Sequence, residues 1–230
     1  MIYISKLFSP ISTGTSAGDI DVGATVKINE NGQPVDYLVV HQGLPSDIYD
    51  ASCEGTWCLR KDIAENRAWD SGNSNVLETS DIHAYLNGDW MNRYDPDVVE
   101  AIKQVKIPYR QNGGSGGTDR NGANGLSCKI FPLSGYEVGW TTSDSKYFPV
   151  DGAKLSYFLS GNDSAAQQKR VAKLNGIAAD WWLRSQDVSN TIGAWVVYFS
   201  GDGHYVDIIN VYGVRPALIL PYSFKFQEVS

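Results

Sequence analysis

The chain has 230 residues, with 19 Lys+Arg against 26 Asp+Glu and a formal charge of −7. That length accommodates one large domain or two small ones, and a 42% hydrophobic content excludes a disordered chain. The acidic balance excludes general phosphate-backbone binding, and no apolar run reaches the ~18 residues of a membrane span.

The opening stretch MIYISKLFSPIST carries one Lys and only a broken apolar run, a poor secretory signal. Synthesis in the cytoplasm without a signal peptide is therefore the expectation. Beyond it, Ala24–Ile28 alternates, and Val35–Val40 follows a turn containing Asn31-Gly32. This pattern predicts a β-hairpin. Thr56–Lys61 reads as a further strand. Cys53 and Cys58 could bridge, but with Cys128 they make three cysteines, and reduced, partly buried thiols are the expected state.

Ser80 is placed to cap a helix over Asp81–Leu86 that stops at Gly88. Pro96 opens a second, expected through Val105 with Val98, Ile102 and Val105 inward. A third helix is expected over roughly Asp163 to Leu174. Gln111–Gly125 (QNGGSGGTDRNGANG) lacks the spacing of a phosphate-binding loop and reads as a flexible surface loop, followed by a strand over Lys129–Leu133. The last third is β: Trp181–Arg184, Ala194–Ser200, a turn at Gly201–Gly203, His204–Tyr212 and Gly213–Leu220. Nothing marks a domain boundary, so residues 1–230 are read as a single domain.

Chemistry is sparse. His41, His83 and His204 form no metal-ligand spacing, and Asp144, Asp151 and Asp163 read as solvated loop residues. No metal and no cofactor are expected. Arg184 and Arg215 interrupt apolar runs, and a buried guanidinium there needs carbonyl or carboxylate partners. Trp181 and Trp182 read as packing residues.

Trp181-Trp-Leu-Arg-Ser185 followed by Gly213-Val-Arg-Pro-Ala-Leu218 resembles the closing signature of a bacterial and phage domain family, DUF6273, which is similar to the C-type lectin fold. Leu38–Gly43, Gly55–Asp62, Ile82–Asn87, Val105–Tyr109 and Ser134–Gly139 extend the resemblance from about residue 20 to residue 221. It implies an α+β, C-type lectin-like fold with small twisted antiparallel sheets, two main helices and long irregular loops. The same fold serves formylglycine-generating enzymes and the variable proteins of diversity-generating retroelements. In the latter, adenine-directed mutagenesis of AAY codons yields Asn, Ser, Tyr, Asp, His, Gly, Ile and Val but never Lys, Glu, Gln or Met. Between Asp187 and Val214 none of those four excluded residues occurs. Trp195 would then be an unvaried scaffold position.

The Glu-Pro-Asn and Trp-Asn-Asp motifs of calcium-dependent lectins are missing, as is a reactive cysteine pair near the C-terminal sheet. The resemblance thus implies a non-catalytic binding module, tail-associated in a phage or prophage, or associated with a cell surface. Its display segment would be about 181–218. Its partners would be a protein or glycan receptor on a cell surface and other phage or surface structural proteins, with no nucleic acid and no membrane insertion. The expected contact residues are Asp187, Ser189, Asn190, Tyr198, Ser200, Asp202, His204, Tyr205, Asp207, Asn210 and Tyr212, with alternation burying some of them. Trp181, Trp182, Arg184 and Arg215 are assigned to structure. The alternatives are a cysteine enzyme related to the formylglycine-generating group, and a structural decoration domain.

Overall fold

Asn31 and Gly32 both take left-handed φ, 53° and 71°, as a two-residue hairpin turn of matching twist requires. They join β1 (Thr25–Glu30) to β2 (Gln33–Gln42), in antiparallel register with Val26 opposite Tyr37 and Ile28 opposite Val35. The computed structural model describes residues 14–141 and 147–226, so the opening stretch and Asp144 lie outside the described residues.

After the hairpin come β3 (Thr56–Arg60), β4 (Glu65–Ala68), α1 (Asp81–Asn87) and α2 (Pro96–Ala101). Four short strands follow: β5 (Val105–Ile107), β6 (Tyr109–Gln111), β7 (Thr118–Arg120) and β8 (Leu126–Cys128). Then β9 (Ile130–Pro132), α3 (Ser164–Arg170), β10 (Ala172–Leu174) and β11 (Ile177–Ala179) lead into the final set. That set is β12 (Trp181–Gln186), β13 (Gly193–Val197), β14 (Gly203–Asp207), β15 (Val211–Val214) and β16 (Pro216–Leu220).

Two five-stranded sheets result, in the orders β1-β2-β3-β16-β9 and β14-β13-β12-β15-β4. The pairing is antiparallel except for β12 with β15. The architecture is α+β, mostly small antiparallel sheets with few, short helices. No helix among the described residues is long and apolar enough to cross a membrane.

Strand alternation sends Trp182, Ala194, Val196 and Val214 into one core with Trp69 and Trp90. It sends Trp181, Leu183, Trp195 and Val197 into another with Trp57 and Phe131. All six residues of β12 are therefore buried, the expected state of a central strand covered on both faces.

The helices are shorter than their periodicity predicts. Ser80 accepts from the His83 N–H at 3.3 Å and α1 ends at Gly88 as expected. The second helix stops at Ala101, because Val105 leaves the helical row to pair with Cys128 in the β5–β8 ribbon. The third stops at Arg170, because Ala172–Leu174 pairs with Ile177–Ala179. The Gly-rich loop is more ordered than its composition predicts: Tyr109–Gln111 and Thr118–Arg120 form a ladder, and Gly113 and Gly114 are buried.

Buried polar groups tie the sheets together. The Arg184 guanidinium donates to Glu137 Oε2 at 2.6 Å and Oε1 at 2.7 Å, and to the carbonyls of Pro108, Pro132 and Asp151. Arg215 donates to the carbonyls of Arg60, Lys61 and Arg170. Asp151 corrects the expectation of a solvated turn residue: it is fully buried and accepts from the Ser185 hydroxyl at 2.7 Å. Asp163 accepts from the Ala166 N–H at 2.8 Å and caps α3.

Candidate functional site

The residues expected to contact a ligand distribute over four places. The first is one face of the second sheet. Trp182 pairs with Val196, and Val196 with His204, so these side chains share that face. His204 is exposed and stacks on Tyr198, with ring centroids 5.3 Å apart and planes 26° apart. Tyr212 sits edge-on to Trp182 at 5.2 Å.

Tyr212 lies opposite Arg67 in the β15–β4 ladder, and the Arg67 guanidinium stands 3.7 Å above the Tyr85 ring. The Trp182 indole N–H donates to the Arg67 carbonyl at 2.8 Å, fixing β4 against the sheet centre. Asp180 belongs to the same row. It accepts from the Phe199 N–H at 2.7 Å, and its carbonyl accepts from Gly213 N–H at 3.0 Å. Partial burial, then the nearby Tyr212 and Asp180 charges, raise the Tyr198 phenol above its ordinary range. Beyond Arg67 the row opens into a groove of about 510 Å³ between β4 and α1, lined by Asn66, Arg67, Asp81, Tyr85, Asp89 and Val211, among others.

Tyr205 bridges the row and the second core: its ring stacks on His204, with centroids 5.3 Å and planes 17° apart. It lies edge-on to Trp195 at 5.7 Å, which stacks on Phe148 at 4.0 Å. Ser200 and Asp202 occupy the β13–β14 turn, where the Asp202 carboxylate accepts from Gln167 at 2.9 Å and from Asn162, anchoring the turn to α3. Gly201 permits that anchoring: it takes φ +90°, and any Cβ there would strike the Gln167 backbone.

The fourth place is the other end of the ladder, where Ser189, Asn190 and Asn210 lie on loops and Asp207 ends β14 opposite Gly193. Asp187 is a correction. It was expected at the surface but is fully buried. Its Oδ1 accepts from the Ser189 N–H and hydroxyl, both at 2.7 Å, and its Oδ2 from Asn190 at 2.8 Å. A carboxylate with both oxygens engaged inside a loop presents nothing to a ligand.

Arg67, Tyr85 and Asp180 escape a reading along the chain. Arg67 and Tyr85 reach the site only through the non-consecutive β15–β4 pairing and the packing of α1, and Asp180 through its bonds to Phe199 and Gly213; no local pattern in the sequence announces these.

The thiols lie beneath the surface. Cys53, Cys58 and Cys128 are buried and unbridged. Burial pushes the Cys53 thiol up to about 11 and drives Cys58 and Cys128 well above the ordinary range, whereas a nucleophilic cysteine needs its thiolate. Among the described residues, no group of three His, Cys, Asp or Glu is arranged to hold a metal ion.

A family model described as a domain of unknown function (DUF6273) matches residues 54–222. The chain belongs to that family. The DUF6273 match starts beside β3 and runs past β16, so it contains the whole second sheet and leaves the first hairpin outside. No curated protein and no solved structure matches the chain.

Proposed function

We propose that this DUF6273 protein is a non-catalytic binding module of C-type lectin-like organisation. It presents the row Tyr198, His204, Tyr212 and Arg67 to a protein or glycan receptor on a cell surface. The observation that carries this reading is the contrast across one strand layer. β12 and β13 are buried throughout, while the aromatic rings beside them stay half-buried or exposed. Such a layer holds rings rigidly at low entropy cost, which suits recognition. Stacked His and Tyr rings next to a guanidinium offer apolar faces, hydrogen-bond donors and a cation within one surface.

The setting we propose is a phage or prophage tail, or another surface structure, with diversification of residues 187–212. In support, the exposed positions there include Ser189, Thr191, Ile192, His204, Tyr205, Ile209 and Asn210, while Trp195, the residue AAY codons do not explain, is 6% exposed and packs against Phe148. The buried, high-pKa thiols speak against the cysteine-enzyme reading.

The test is binding of the purified chain to a panel of bacterial cells and to an array of bacterial surface glycans. Tyr198→Ala and Tyr212→Ala are expected to weaken any binding roughly tenfold or more, as loss of an aromatic anchor does. Ile177→Ala, an exposed apolar residue on β11 outside this row, is expected to leave that binding unchanged. Equal effects of the Ile177 and tyrosine variants, or no binding to either panel, would overturn the proposal.

A further inference from the structure

The loop between β12 and β13 is shaped by a residue 112 positions before its first anchor. Asn75 is 1% exposed. Its Nδ2 donates to the carbonyls of Gly193 at 2.7 Å, Asp187 at 3.2 Å and Asn190 at 3.3 Å. Its own N–H donates to the Thr191 carbonyl at 2.6 Å. Three carbonyls served by two amide protons means that one proton is shared, and the two longer bonds fit that sharing. Asp187 completes the hold through Ser189 and Asn190, and its N–H donates to the Gly193 carbonyl at 2.9 Å.

The space around this clasp is closed. Gly113 and Gly114 take φ +57° and +48° against it. A Cβ on Gly113 would lie 2.5 Å from the Asn75 carbonyl, and one on Gly114 2.8 Å from the Asn190 carbonyl. The tip faces outward: Thr191 is exposed and Ile192 is 45% exposed. Across the ladder end, where the Ile208 N–H donates to the Ile192 carbonyl at 3.0 Å, Ile209 is 53% exposed.

We infer that Asn75 is the positioning residue of a preformed contact loop. It holds the backbone of 187–193 from inside through main-chain carbonyls, so the side chains at 191 and 192 change without moving the loop. A loop ordered in advance does not lose that conformational freedom on binding. The inference deepens the binding reading and rests on it for the purpose of the loop, not for its geometry.

Amide hydrogen exchange of the full chain tests it without any partner present. Asn75→Ala and the milder Asn75→Ser are expected to speed exchange at Asp187, Ser189, Ile192 and Ile208 roughly tenfold, the scale of one lost buried hydrogen bond, while β2, β3 and β16 stay unchanged. The double variant Thr191→Tyr, Ile192→Asp is expected to leave the Asp187, Ser189 and Ile208 amides within about twofold of wild type. Loss of protection across both sheets, failure of both Asn75 variants to fold, or loosening by the tip variant would each overturn it. Absence of receptor binding would leave the exchange result standing, so the two readings fail separately.

Discussion

Two groups of side chains flank the same central strand and have opposite surroundings. Behind it, Arg184, Glu137, Asp151, Ser185 and Tyr49 are buried and bonded to one another or to main-chain carbonyls. In front, Tyr198 stacks on His204 and Tyr212 packs on Trp182, and each keeps part of its ring in solvent. The chemistry that would attract a functional reading, a charged pair beside a second carboxylate, is thus enclosed and devoted to joining loops to sheets. The surface chemistry is aromatic and mild. Residue type alone misleads here; which side of the sheet a residue faces decides its role.

Breaking the inner group should have the largest effect. Arg184→Met leaves Glu137 buried without its counter-charge and frees three carbonyls, so a loss of about 3–5 kcal/mol is expected in urea unfolding. A loss below about 1 kcal/mol would mean that the pair is solvated.

Asp151 gives the next effect, through pH. Burial pushes its carboxyl up to about 7, against the opposing pull of Arg184 and Ser185. A group whose folded pKa lies above its unfolded one stabilises fully below the unfolded value, and that stability drains away as pH climbs towards the folded value. Between pH 5 and pH 8 the wild type should therefore lose on the order of 2–3 kcal/mol relative to Asp151→Asn. Parallel stability curves for the two proteins would refute a neutral buried acid.

The smallest effect belongs to the outer group. His204→Ala removes an exposed ring that makes no hydrogen bond to the core, and its unfolding free energy should stay within about 0.5 kcal/mol of wild type. Its receptor binding should drop alongside that of Tyr198→Ala.

Much of the frame was legible in the sequence because local chemistry determines it. Asn31-Gly32 specifies its turn, Ser80 its helix start and the apolar run at 181–184 its buried strand, whereas the run Gly213–Leu220 divides at Arg215 between β15 and β16. The over-long helices at Val105 and Leu174 have one physical cause: a β-branched or apolar residue fits a helical row and a strand equally well, and a distant partner strand decides between them. The pattern over His204–Tyr212 predicts one strand, yet the chain breaks at Ile208–Asn210, where the Asn210 N–H donates to the Asp207 carbonyl at 3.0 Å. Asp187 and Asp151 depart from expectation for a related reason. A polar residue in a loop reads as wet until the buried donors that claim it are known, and those donors come from other segments. Tyr198, His204 and Tyr212 enter the expectation through the family resemblance, whereas the placing of Arg67, Tyr85 and Asp180 beside them requires the fold.

Residues 211–220 run through both sheets, since β15 lies in one and β16 lies between β3 and β9 in the other, with Arg215 alone between them. Traction on Tyr212 therefore passes within four positions of chain to a strand flanked on both sides by hydrogen-bonded neighbours, and Arg215 pins the crossing to three carbonyls. Force applied along β16 would load its ladders with β3 and β9 in shear, the direction in which a ladder shares strain over all its rungs at once.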